Sequence, residues 1–95
     1  MELQDIRKQL DQIDDQVTCL FLQRMALSAQ AAAYKREKGL PILDAEREQQ
    51  ILSKVAKQAG ENMGEYILKL YQTLFSVSRA YQARLLGREA DGEQP

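Results

Sequence analysis

ELQDIRKQLDQIDDQVTCLFLQRMALSAQAAAYKREK, residues 2–38, is the stretch that decides the fold. Leu3, Ile6, Leu10, Ile13, Val17, Leu20, Leu27, Ala31 and Tyr34 succeed one another at steps of three and four, and one step is skipped at position 24. No Pro or Gly interrupts the pattern before Gly39 and Pro41. The spacing therefore predicts a single long amphipathic helix, ended by a glycine stop and a short extended loop. Lys35, Arg36 and Lys38 suit the negative end of its dipole.

Such a helix is about 50 to 55 Å long at 1.5 Å per residue. A compact domain of 95 residues has a radius of gyration near 12 Å, so the helix must overhang its own domain. An overhang carrying a continuous Leu/Ile/Val stripe needs cover, and a second copy of the chain supplies it by symmetry. A homodimer is expected on these grounds alone.

Two shorter helices come next. Asp44 is a good N-cap for a helix over 44–59, whose apolar stripe is Ile51, Leu52, Val55, Ala56 and Ala59. The segment from Gly60 to Gly64 breaks it. A third helix over 63–86 carries Ile67, Leu70, Tyr71, Leu74, Phe75, Tyr81 and Leu85 on a broad face. Residues 1–86 thus read as one all-α domain of three helices, and 87–95 as a polar, flexible tail.

The 13 basic and 14 acidic residues are spread evenly, 6 against 6 over 1–43 and 7 against 8 over 44–95. No basic face invites nucleic acid or an anionic membrane, and no stretch approaches the roughly 20 apolar residues of a membrane span. There is no His, and Cys19 is the one cysteine, which excludes a disulfide framework, a structural zinc site and a His-activated nucleophile. A reducing cytoplasm is the expected location. Chemistry has to run on Arg, Lys, carboxylates and amides.

Polar residues that break apolar stripes are the candidates for that chemistry, because a charge on a packed face is costly unless paired. Arg24 fills the skipped step of the first helix, and Lys35 lies eleven residues on, close to the same face. Between them stand Ser28, Ala31 and Ala32, small side chains that leave room for a guest. Glu48 extends the stripe of the second helix, beside Asp44 and Arg47 in its first turn. Ser78 and Gln82 are four apart on the core face of the third. Each has an ordinary reading too: a register-setting Arg in a seam, a solvated Lys at a helix end, a local Asp/Arg pair, a Ser bonded back to its own helix, a Gln at a wet end. Together they describe a pocket for a small, strongly anionic ligand.

Arg7, Ile13-Asp14, Arg24, Lys35, the run Pro41-Ile42-Leu43-Asp44-Ala45-Glu46-Arg47-Glu48, and Ser78 with Gln82 resemble the signature of the all-helical chorismate mutases over nearly all of positions 3 to 86. The resemblance implies an intertwined homodimer in which Arg7 enters the partner's site, with chorismate as substrate and no metal or cofactor. It implies that Arg7 and Arg24 clamp the two substrate carboxylates, with Arg47 supporting them electrostatically and Ser78 at a carboxylate edge. Lys35 and Gln82 would face the ether oxygen. Glu48 would accept from the ring hydroxyl, assisted by the Asp44 backbone.

Two other readings stand beside this one. An isochorismate pyruvate-lyase on the same scaffold also uses Arg and Lys, but Glu48 suits the mutase. A non-catalytic regulatory helical dimer needs none of the polar set, and would tolerate Arg24→Ala and Lys35→Ala.

Overall fold

The computed structural model describes residues 1–88, and the expected tail lies outside the described residues from position 89 onward. Three helices make up the fold: α1 Leu3–Lys38, α2 Ala45–Ala59 and α3 Gly64–Leu86, with no strand among the described residues. The all-α expectation of one long and two shorter helices holds.

Helix α1 runs 36 residues without a break. It ends where Gly39 takes a left-handed conformation, φ 65°, which lets the Leu40 N–H reach back to the Lys35 carbonyl at 2.8 Å. A side chain at Gly39 would be strained in that conformation, so a glycine is needed to turn the chain here. Helix α2 starts at Asp44, whose carboxylate accepts from the Arg47 backbone N–H at 3.1 Å. That bond satisfies one of the donors a helix N-terminus leaves open.

Helix α3 is the hub. Both α1 and α2 pack on it, and they do not pack on each other among the described residues. The small residues of α1 serve this contact: Ser28 and Ala32 are buried, which brings the two backbones close. The reading of Ser28, Ala31 and Ala32 as room for a guest is corrected for Ala32 alone, which this contact uses up, while Ser28 and Ala31 also line the open gap beside it. Among the described residues the buried apolar side chains are few, namely Ala32, Ile42, Val55, Phe75 and Ala83. Ile42, 1% exposed, packs with Ala83 and Leu86 and pins the α1–α2 loop to the end of α3.

The remainder of α1 overhangs. The longest dimension, 53 Å, is the length of that helix, and the radius of gyration of 16.1 Å exceeds the ~12 Å of a compact chain of this size. Leu3, Ile6, Leu10, Ile13, Val17 and Leu20 are all exposed along it, Leu20 by 61%. No helix among the described residues is long and apolar enough to cross a membrane.

Candidate active site

Because α1 and α2 diverge above α3, a gap opens between them with α3 as its floor. It is a cavity of about 380 Å³. Seven of the eight residues expected at the site line it: Arg24 and Lys35 from α1, Asp44 from the loop, Arg47 and Glu48 from α2, and Ser78 and Gln82 from α3. Arg7 does not; it is exposed and lies 17 residues before Arg24, about 25 Å along α1. Helix α3 lines it through Phe75, Ser78, Arg79 and Gln82, and the small residues Ser28 and Ala31 of α1 line it between Arg24 and Lys35.

The floor and one wall are stitched by a chain of hydrogen bonds. Lys35 Nζ donates to the Ile42 carbonyl at 2.6 Å and to Gln82 Oε1 at 2.9 Å. A lysine ammonium cannot accept, so the Gln82 oxygen must face it and the amide nitrogen becomes the donor end. That nitrogen lies 3.4 Å from Ser78 Oγ, and Ser78 Oγ shares a 2.6 Å hydrogen bond with Ser28 Oγ. Gln82 is 6% and Ser78 7% exposed, so these groups are removed from water and held by one another. The picture of Lys35 as a solvated helix end and of Gln82 at a wet end is therefore corrected, and Ser78 bonds to Ser28 across on α1 and to the Gln82 side chain rather than back to the backbone of its own helix.

The basic wall is built differently. The Arg24 guanidinium lies over the Phe75 ring, 5.7 Å from its centroid, and Tyr71 meets that ring edge-on at 5.9 Å. Such stacking orients a cation for about 0.5 to 2 kcal/mol while leaving its N–H groups to a ligand. Arg47 contributes its charge from the first turn of α2, and no ion pair with Asp44 is found among the described residues, because the Asp44 carboxylate caps the helix instead. A second hollow, also about 380 Å³, shares Arg24, Arg47 and Ile51 with the first and adds Lys54, so the positive wall continues outward.

One residue of the site was missed in the sequence. Arg79 reaches from α3 to Glu48 on α2, its Nη1 lying 2.7 Å and 2.6 Å from the two carboxylate oxygens. Its signal was present in the spacing, four residues after Phe75 and three before Gln82, on the same stripe as both. With Arg79 included, the cavity holds the cations Arg24, Lys35, Arg47 and Arg79 against the carboxylates Asp44 and Glu48. Two positive charges are in excess, and they suit a ligand with two negative ones.

Comparison with known proteins agrees with the geometry. Residues 6–83 match the family described as chorismate mutase type II. The chain is 36% identical over 87 residues to the chorismate mutase of Methanocaldococcus jannaschii, an alignment covering 90% of this chain and 88% of the relative. It is 27% identical over 89 residues to the bifunctional chorismate mutase/prephenate dehydratase of Aquifex aeolicus, covering 88% of this chain but 25% of that longer protein. No solved structure is significantly similar to it. With most of its length matched and its polar residues gathered over α3, the chain belongs to the chorismate mutase type II family.

Proposed function

We propose that this chain converts chorismate to prephenate in aromatic amino-acid biosynthesis, as a cytoplasmic, intertwined homodimer that uses no metal and no cofactor. The observation that carries the reading is the cavity over α3, where three helices bring together a two-charge cationic excess that includes a partly buried Lys35 bonded to a buried Gln82. Chorismate is a dianion that rearranges in a one-molecule pericyclic step. Such a step needs no nucleophile and no base, only a held conformer and stabilised charge.

The roles divide accordingly. Arg24 and the partner's Arg7 would clamp the two carboxylates, Arg47 would add to the field, and Ser78 would meet a carboxylate edge. Fixing the reactive chair in this way is an orientation effect worth up to about 7 to 11 kcal/mol in ideal cases. Lys35 and Gln82 would donate to the ether oxygen as its bond to carbon breaks, at about 3 to 4 kcal/mol per preorganised donor. Those two donors act on charge that develops only in the transition state, so they raise the rate rather than the affinity. Glu48 would accept from the ring hydroxyl, with the Asp44 backbone beside it.

The dimer is supported by the overhang. An exposed stripe from Leu3 to Leu20 needs apolar cover, and a hollow of about 340 Å³ lined by Val17, Leu20, Phe21, Leu70 and Leu74 lies where the stripe leaves α3. In an isologous pair each overhang crosses the other subunit, which would carry Arg7 to the open side of the partner's cavity. The direct test is to incubate the purified protein with chorismate and with isochorismate and identify the products. Prephenate from chorismate is expected. Pyruvate from isochorismate with no prephenate from chorismate would overturn the reading.

A further inference from the structure

The contact between Arg79 and Glu48 has an unusual form for an arginine and a carboxylate. One nitrogen, Nη1, faces both oxygens, at 2.7 Å and 2.6 Å. The common arrangement is a fork in which two nitrogens each meet one oxygen. A fork through Nε would have satisfied that N–H; here Nε is buried and without a hydrogen-bond partner. The pair therefore forgoes a stronger mutual contact, and each Glu48 oxygen keeps further lone-pair capacity. Both side chains are mostly withdrawn from water, 18% and 23% exposed, and both line the cavity.

We infer that Arg79 is a positioning residue: it holds the Glu48 carboxylate in one orientation and balances its charge, so that Glu48 can accept a hydrogen bond from a neutral hydroxyl of a dianionic ligand. The inference rests on the mutase reading and adds a residue to it. A carboxylate beside a dianion is repelled by it unless a cation stands close, and two of the other cations of the cavity are engaged elsewhere. Lys35 is bonded to Ile42 and Gln82, while Arg24 lies over Phe75. Among the described residues Arg79 is the cation in contact with Glu48, and it reaches across to it from α3.

A double-mutant cycle on the full chain tests this, with kcat and KM for chorismate measured for Arg79→Met, Glu48→Gln and the combined variant. Arg79→Met should lose about 30-fold or more in kcat/KM, the loss expected on truncating one member of a desolvated pair. Much of it should appear in KM, because the unpaired carboxylate repels the ligand before reaction. In the Glu48→Gln background the same substitution should cost less than about threefold, since no charge remains to be balanced. Arg79→Lys should recover most of the loss, because the contact uses a single nitrogen. If Arg79→Met does not fold by circular dichroism, Arg79→Gln takes its place in the cycle. Equal losses in both backgrounds, or Arg79→Lys as poor as Arg79→Met in a folded protein, would overturn the inference. An inactive wild type would end the mutase reading as well, whereas an active wild type with additive losses would end this inference alone.

Discussion

Lys35 stands in the last turn of a helix, a common place for a solvated lysine, yet its ammonium is bound by a backbone carbonyl and an amide oxygen. A cation held this way needs little reorganisation as charge develops next to it. Lys35→Met should therefore lower kcat by about 10² to 10³-fold while the folded helical signal persists; a loss confined to KM would contradict the role. Gln82 makes a second prediction. An amide donates at any ordinary pH, and the chain has no His, so kcat/KM should be nearly flat across neutrality. In Gln82→Glu the donor is a carboxylic acid that works only while protonated, so activity should fall as pH rises; a pH profile identical to wild type would dissociate Gln82 from the reacting oxygen. Stripe-breaking polarity made Lys35, Glu48, Ser78 and Gln82 visible from the sequence. It did not reveal their partners. The Ile42 carbonyl belongs to the backbone, and Arg79 meets Glu48 across 31 residues and two helices, so neither contact leaves a local pattern.

At the level of elements, the short loop between α1 and α2 is as consequential as the helices. Gly39 turns it, Asp44 caps α2 at its far end, and Ile42 anchors it between the ends of α1 and α3, next to Ala83 and Leu86. Ile42→Ala removes the most deeply buried large side chain of the chain's described part and should destabilise the fold by about 2 to 5 kcal/mol. It should also slacken the carbonyl that holds Lys35, so kcat should drop below wild type even where the protein is fully folded. Thermal melting followed by circular dichroism, with assays well below the transition, separates the two effects; an unchanged melting temperature would contradict the anchoring. The existence of the helices was legible because Gly39, Pro41, Asp44 and Gly60 are strong local signals. Their arrangement was not. That α3 is the hub, and that Ala32 serves close helix approach while Ser28 and Ala31 line the cavity, depends on which faces meet, and small residues suit either use.

On the scale of the whole molecule, a single chain is unbalanced. It has few buried apolar side chains and a long apolar overhang, and its cavity lacks one of the two arginines expected to hold the substrate. Length against compactness was readable in the sequence as a reason to dimerise, whereas the family resemblance alone connected Arg7 with a second subunit. These two strands meet in one requirement, that each site be assembled from both chains. It is tested by mixing two variants that should each be inactive, Arg7→Ala and Arg24→Ala, unfolding and refolding them together, and assaying prephenate formation. With random pairing, half of the dimers are mixed, and each mixed dimer contains one site with both arginines intact. The mixture should therefore recover about one quarter of wild-type activity. Activity no higher than that of the separate variants, with mixed dimers present, would contradict a site shared between subunits.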